Sequence, residues 1–175
     1  MSINYEGNFE KLTDLIVFLD RDGVINKKRI DYVKNIDEFI FLPNSIKAIK
    51  ELNKICSKVI IVTNQSIINR GIISEKKLQE IHDHMLKILE KNSCQISKIY
   101  FCPHRPEENC ECRKPKTGML EKAIKEFKID ITKSWLIGDD KKDIQVANTI
   151  GIKSIKIETN GNLEKAVKII KNSLN

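Results

Sequence analysis

The sequence predicts an α/β protein built on a doubly wound, mainly parallel, Rossmann-like sheet with helices on both faces. Short runs of apolar, β-branched residues alternate with amphipathic stretches along the chain, which is the order expected of parallel strands joined by crossover helices. Hydrophobic residues make up 41% of the 175 residues, with only 7 Gly and 4 Pro, a composition typical of a folded globular chain. Several apolar runs end at Asp or Thr, so polar side chains are expected along one edge of the sheet.

Five strands are predicted from short apolar runs that polar residues bound on both sides. They comprise residues 16–19, 59–62, 99–101, 135–137 and 154–157. The first run is entirely apolar, which is typical of a strand that is buried on both faces.

The helices between these strands are predicted from apolar residues at helical spacing. Residues 45–56 repeat an apolar residue every three or four positions. A second helix is predicted after Ser74, because serine is a favourable N-cap residue. Three further helices are predicted around residues 120–127, 147–150 and 163–170.

Residues 1–175 are expected to form a single domain without a large cap domain, since the sequence contains no repeat and no linker. Within it, residues 1–14 are predicted to be an N-terminal extension and residues 102–112 a metal-binding loop. The first 13 residues lack the basic and apolar regions of a signal peptide. No apolar run approaches the ~18 residues of a membrane span. We therefore expect a monomeric, cytoplasmic protein with no membrane partner.

The formal net charge of +7 is compatible with a nucleic-acid partner or with an anionic metabolite. The cations are mostly Lys residues scattered along the chain, and few aromatic residues lie among them. Nucleic-acid binding is therefore not expected from the charge.

Two carboxylates follow the first predicted strand directly, at Asp20 and Asp22. Such a pair can hold a divalent cation and divide the roles of nucleophile and acid/base. The alternative is a solvated turn, because Asp and Gly both favour turns.

Polar residues also lie at the ends of two other predicted strands. Thr63 ends the second strand and Asp139 follows the fourth. Hydroxyl, amide and carboxylate groups are therefore predicted to converge at one edge of the sheet, where they suit a phosphoryl group and Mg²⁺.

A second constellation lies between residues 102 and 112, where three of the five cysteines and one histidine occur in eleven residues. Three thiolates and one imidazole form a closed donor set for a tetrahedral Zn²⁺. The predicted ligands are Cys102, His104, Cys110 and Cys112. With no position open for water, this zinc is expected to be structural and to shape the loop that carries Arg113 and Lys114. A reduced loop without metal is the alternative.

Four motifs occur in order along the chain: FLDRDG at residues 18–23, VTNQS at 62–66, CRKP at 112–115 and IGD at 137–139. Together they resemble the haloacid dehalogenase-like phosphatases. The resemblance extends from about residue 16 to residue 157, and it implies a parallel α/β fold and the hydrolysis of a phosphate monoester.

The resemblance also implies roles for individual residues. Asp20 would attack phosphorus and form an aspartyl-phosphate, and Asp22 would act as the acid and base. Mg²⁺ would be held by the Asp20 carboxylate, the Asp22 backbone carbonyl and Asp139. Thr63 and Lys114 would neutralise the transferring phosphoryl group. The residues implied in substrate binding are Arg29, Tyr32, Asn64, Gln65, Ser66 and Arg113.

Within the family the motifs are most similar to the group that acts on heptose 1,7-bisphosphate or histidinol phosphate. We expect a sugar-phosphate substrate from which the C7 phosphate is removed. Histidinol phosphate is the first alternative and a polynucleotide 3′-phosphate the second. Asp140 departs from the group's pattern, which has a substrate-binding Lys there. A zinc-stabilised binding protein without catalysis is a further alternative, but it would have no need for the Asp20–Asp22 pair.

Overall fold

Five parallel strands form the centre of the fold in the computed structural model, which describes residues 14–174. The strands are β1 (Ile16–Leu19), β2 (Lys58–Asn64), β3 (Lys98–Cys102), β4 (Ser134–Gly138) and β5 (Lys153–Lys156). They lie in the order β3-β2-β1-β4-β5, and every neighbouring pair is parallel. The order in which the chain adds strands therefore changes at β1: β2 and β3 lie on one side of it, and β4 and β5 on the other. The carboxyl ends of β2, β1 and β4 lie side by side.

Helices cover both faces of this sheet. They are α1 (Ser45–Ile55), α2 (Glu75–Lys91), α3 (Gly118–Phe127), α4 (Lys141–Ile150) and α5 (Leu163–Asn172). Short 3₁₀ turns occur at Ile36–Glu38, Pro106–Glu108 and Ile131–Lys133. The predicted doubly wound α/β fold is confirmed, and each predicted strand and helix is present. The ends of β1 are as predicted, whereas α4 begins at Lys141, well before the predicted residues 147–150.

The alternation of side chains along the strands divides the interior into two cores. In β1, Val17 and Leu19 face the core that α1, α2 and α5 cover, whereas Ile16 and Phe18 face the core under α3 and α4. All four side chains are buried. An entirely apolar strand therefore arises because successive residues point to opposite faces, and both faces are covered.

Side-chain caps fix the N-terminal ends of α2 and α4. Ser74 caps α2 as predicted, and its side chain accepts a hydrogen bond from the Lys77 backbone N–H at 3.1 Å. Asp140 caps α4, accepting from the Lys142 N–H, while Asp143 accepts from the Asp140 N–H. This reciprocal pair satisfies donors that the first turn of a helix leaves free.

No large cap domain covers the carboxyl edge of the sheet within residues 14–174. Loops of residues 20–44 and 103–117 flank that edge instead. No helix in this part of the chain is long and apolar enough to cross a membrane. The predicted extension over residues 1–14 lies outside the described residues except for Asp14.

Candidate active site

A cleft of about 200 Å³ opens at the carboxyl ends of β1, β2 and β4. The chain places polar residues there because each strand ends at this edge: Asp20 directly follows β1, Thr63 lies near the end of β2 and Asp139 directly follows β4. The Asp20 backbone N–H donates to the Ile137 carbonyl of β4 at 3.0 Å, which continues the ladder up to the cleft. The convergence of strand ends is therefore a direct consequence of the strand order.

Eight of the residues singled out in the sequence line this cleft. They are Asp20, Asp22, Tyr32, Thr63, Asn64, Ser66, Arg113 and Lys114. Gln65 and Asp139 are buried beneath it. Arg29 lies outside the lining, because its guanidinium is held by Asp31 and Glu38.

Lys114 is the cation at the base of the cleft, and only 2% of its side chain is exposed. Its Nζ lies 3.2 Å from Asp20 Oδ1 and 2.6 Å from Asp143 Oδ1, and it donates to the Val62 carbonyl at 2.8 Å. Burial by itself would lower the pKa of Lys114, but the two carboxylates outweigh it and raise the pKa. Lys114 is therefore a fixed positive charge beside Asp20.

Asp143 was not among the residues predicted to act in the site. Its position is set by Gly138, since a Cβ there would lie 2.3 Å from the Asp143 side chain. The carboxylate consequently packs against the end of β4 and reaches Lys114. In the sequence, the helix cap alone explains an Asp at this position, so no signal distinguished the residue that holds the lysine.

The Asp20 carboxyl lies beside Lys114, and 13% of its side chain is exposed. Burial raises its pKa to about 7, the charges of Asp143 and Asp22 act in the same direction, and Lys114 opposes them. A divalent cation beside the carboxylate would also favour its ionised form. Asp20 is thus a carboxylate whose ionisation depends on cations at this edge of the sheet.

Asp22 is held by neighbouring donors on several sides. Arg21 Nη2 contacts both of its carboxylate oxygens, at 2.9 and 3.0 Å. Asn26 donates to it at 2.8 Å and Gln65 at 2.7 Å. Burial would raise the pKa of Asp22, but Arg21, Asn26 and Gln65 together lower it. These donors therefore hold Asp22 in place and favour its ionised form.

Arg21 continues this network into the interior, where it is 1% exposed. Its Nη1 lies 3.1 Å from Nε2 of His82 on α2. Burial first, and then the charge of Arg21, lowers the pKa of His82 to about 3. The imidazole is therefore neutral and accepts the arginine hydrogen bond. The sequence pattern gives no sign of this contact, because it joins residues 61 positions apart.

Asn64 and Gln65 hold other site residues in place. The Asn64 amide donates to the Lys114 carbonyl at 3.1 Å and accepts from the Lys114 N–H at 3.0 Å. The Gln65 amide donates to the Thr63 hydroxyl at 2.9 Å as well as to Asp22. This structure thus uses both amides to connect the loops around the cleft.

Asp139 and its surroundings fit a divalent cation. Its Oδ1 is buried and has no hydrogen-bond partner among the described residues. Carboxylate oxygens of Asp20, Asp139 and Asp143 lie within 4.8 Å of one another. At Gly23, a Cβ would lie 2.5 Å from Asp139 Oδ2, so the glycine leaves room for this carboxylate. A cluster of hard oxygen donors with one orphaned atom matches the preference of Mg²⁺.

The Cys102–Cys112 loop, which begins at the end of β3, forms a compact donor set. Cys102 Sγ lies 3.1 Å from Cys112 Sγ and 3.5 Å from Cys110 Sγ, and His104 Nδ1 lies 3.2 Å from Cys112 Sγ. All four donor atoms fall within 4.8 Å of one another. In a tetrahedral zinc site with Zn–S bonds of about 2.3 Å, neighbouring sulfurs are roughly 3.8 Å apart. The donors therefore fit Zn²⁺, with His104 binding through Nδ1.

This loop is joined to the cleft through Arg113, whose guanidinium donates to the His104 carbonyl at 3.0 Å. Replacing Cys110 with Ser should remove one of the four predicted zinc ligands and loosen the segment that carries Arg113 and Lys114. We expect the loss of this ligand to lower the free energy of unfolding by about 2–3 kcal/mol. Each kcal/mol corresponds to about 2–4 °C in a chain of this size, so the melting temperature should fall by roughly 5–10 °C. Calorimetry with elemental analysis of bound zinc measures both effects.

The matched control is Cys56→Ser, which makes the same chemical change in a half-buried cysteine outside the cluster. Equal melting temperatures for the two variants, together with no zinc in the unmodified protein, would contradict a structural zinc site.

Known proteins share this fold and much of the sequence. Residues 111–171 match a family model described as HAD-hydrolase-like. The D-glycero-beta-D-manno-heptose-1,7-bisphosphate 7-phosphatase of Neisseria meningitidis serogroup A is 39% identical over 144 residues, covering 82% of this chain and 77% of its own. The enzyme of the same name from Photorhabdus laumondii is 41% identical over 173 residues, covering 90% of both chains.

A solved structure gives the same result in three dimensions. The D,D-heptose 1,7-bisphosphate phosphatase of B. bronchiseptica, complexed with magnesium and phosphate, superposes with a TM-score of 0.80 and 32% identity, covering 89% of this chain and 86% of that one. The sequence identity and the coverage of these relatives support the same family as the four motifs do. The chain belongs to the family of haloacid dehalogenase-like phosphatases.

Proposed function

We propose that the protein is a Mg²⁺-dependent phosphatase that removes the C7 phosphate of D-glycero-D-manno-heptose 1,7-bisphosphate and leaves the C1 phosphate. The observation that carries this proposal is the charge of the cleft. Beyond Lys114, four cations line it: Lys28, Arg70, Arg113 and Lys142. A substrate with two phosphates suits such a lining, because the second phosphate meets cations that the reaction itself does not use.

Histidinol phosphate is a poorer match to the same lining. It carries one phosphate and an ammonium group, and an ammonium would face four cations while Asp140 supplies one carboxylate at the rim. A polynucleotide 3′-phosphate would need faces on which bases can stack, and Tyr32 is the one aromatic residue that lines the cleft in the described part of the chain. The names of the relatives support the heptose bisphosphate further.

In the proposed reaction, a carboxylate oxygen of Asp20 attacks the C7 phosphorus in line, and the bond from phosphorus to the sugar oxygen breaks. The leaving oxygen takes a proton from Asp22, whose pKa rises as the anionic phosphate enters. Asp22 then removes a proton from water as that water attacks the aspartyl-phosphate, which releases inorganic phosphate and restores Asp20.

The remaining residues stabilise charge during these steps. Lys114 and Thr63 would neutralise the phosphoryl oxygens, which is the larger part of catalysis in phosphoryl transfer. Mg²⁺ would be held by Asp20, Asp139 and the Asp22 carbonyl and, when bound, would neutralise charge on the same group. The proposed substrate contacts are three residues that line the cleft: Arg113, Ser66 and Tyr32. Arg29 could contact the substrate only after its ion pair with Asp31 breaks.

We further propose that residues 1–175 act as one monomeric catalytic domain in the cytoplasm. The three thiols proposed as zinc ligands must stay reduced, which supports a reducing compartment. The structural Zn²⁺ at Cys102, His104, Cys110 and Cys112 belongs to the same proposal.

The test is phosphate release with Mg²⁺ at neutral pH on both heptose 1,7-bisphosphate anomers, histidinol phosphate and a 3′-phosphorylated oligonucleotide. We expect kcat/KM for one heptose anomer to exceed that for the other two classes by a hundredfold or more, which is ~2.7 kcal/mol of transition-state discrimination. The Asp20→Asn protein, prepared in the same way, controls for contaminating phosphatases. A preference for histidinol phosphate or for the oligonucleotide would contradict the proposed substrate.

A further inference from the structure

Lys28 lies in the cleft but belongs to none of the predicted motifs. Its Nζ donates to Asp139 Oδ2 at 2.9 Å, and 40% of its side chain is exposed. The Asp139 side chain, in contrast, is fully buried. Among residues 14–174, Lys28 is the one cation that forms an ion pair with this carboxylate.

Two loops hold the backbone of Lys28 beside Asp139. Its N–H donates to the Asn160 side chain at 2.7 Å, and the Asn160 N–H donates to the Gly23 carbonyl at 2.9 Å. The neighbouring Thr159 hydroxyl also donates to Asp139 Oδ2, at 2.7 Å. The base of the lysine is therefore fixed, whereas its ammonium is half-exposed and can leave the carboxylate by rotation of its side chain alone.

The charges around the site explain why Asp139 needs a cation before a metal ion binds. Four acidic side chains lie in or beneath the cleft centre: Asp20, Asp22, Asp139 and Asp143. Lys114 pairs with Asp20 and Asp143, and Arg21 pairs with Asp22. The remaining carboxylate of the four, that of Asp139, pairs with Lys28. A buried carboxylate without a counter-ion is costly, so the ammonium stabilises Asp139 in the absence of a divalent cation.

We propose that Lys28 is a positioning residue that competes with the divalent cation for Asp139 and thereby sets the affinity of the site for Mg²⁺. In the metal-free protein the ammonium neutralises Asp139 and keeps its carboxylate turned into the cluster, together with Thr159. When the cation binds, the two positive charges repel each other, and Lys28 gives way toward the open cleft. This inference rests on the proposed function, since it takes Asp139 as a ligand of Mg²⁺.

Titration calorimetry of the full chain with Mg²⁺ tests the competition without any substrate. We expect Lys28→Met to bind Mg²⁺ about tenfold more tightly than the unmodified protein, which is ~1.4 kcal/mol. In buffer without Mg²⁺ the same variant should melt at a lower temperature than the unmodified protein, because Asp139 has lost its counter-ion, and saturating Mg²⁺ should remove that difference.

The matched control is Lys142→Met, which removes a cation from the same cleft where no ion pair with Asp139 is formed. The affinity of this variant for Mg²⁺ should change by no more than about twofold, because an exposed charge that does not contact Asp139 is screened by solvent and salt. If Lys28→Met binds Mg²⁺ no more tightly than Lys142→Met, the competition is overturned and the proposed function stands. If the unmodified protein binds no Mg²⁺, both the inference and the metal dependence of the proposed function fail.

Discussion

Asp20→Asn should lower the rate of phosphate release by about 10⁴-fold or more, because the amide cannot form the aspartyl-phosphate. The fold should survive the change. The amide has the shape of the carboxyl group, and Lys114 keeps its 2.6 Å partner Asp143. Steady-state kinetics with Mg²⁺ and a thermal melt of the same sample measure the two effects separately.

An exposed carboxylate provides the control for the Asp20 prediction. Asp37→Asn makes the same substitution outside the cleft lining, and it should leave both the rate and the melting temperature unchanged. More than about 1% residual activity in Asp20→Asn would contradict a nucleophilic role for this residue.

Lys114→Met should reduce both stability and activity, since it leaves Asp20 and Asp143 facing each other without their shared cation. Removing one partner of a buried ion pair costs about 3–5 kcal/mol, which corresponds to a fall of roughly 10 °C or more in melting temperature for a chain of this size. Phosphate release should fall by at least about a hundredfold, as for other losses of a charge stabiliser in the transition state.

The double variant Lys114→Met, Asp143→Asn separates these two effects. Removing the charge of Asp143 should restore part of the lost stability without restoring activity. Lys116→Met is the control, since its ion pair with Glu111 is exposed and is worth ~0–1 kcal/mol. A double variant that is no more stable than Lys114→Met would contradict the charge cluster as the origin of the instability.

The fold was predictable because its signals are local. The apolar run at residues 16–19 specifies a strand that is buried on both faces, and the polar residue that follows marks its carboxyl end. The same holds at Thr63 and Asp139. Once the strands are parallel, their ends must share an edge, so the convergence of these residues followed from the order of elements. The Cys/His loop was equally local, because all four donors lie within eleven residues.

The contacts that the sequence did not indicate join distant parts of the chain. Lys28 meets Asp139 across 111 positions, and Arg21 meets His82 across 61. No periodicity connects such pairs. Asp143 was missed for another reason. The helix cap by itself accounts for an acidic residue at this position, so the sequence gave no reason to predict an ion pair with Lys114. The family resemblance implied that Arg29 binds substrate, but Asp31 and Glu38 hold its side chain, and the sequence gives no sign of these two ion pairs.

The most direct test of the account is to stop the reaction in acid during turnover of the heptose bisphosphate and to map the protein by mass spectrometry. The account predicts one phosphoryl group on the peptide that contains Asp20, released by hydroxylamine as an acyl phosphate and absent from Asp20→Asn. Full turnover with the phosphoryl group on another residue, or with none on the protein under conditions that preserve acyl phosphates, would contradict it.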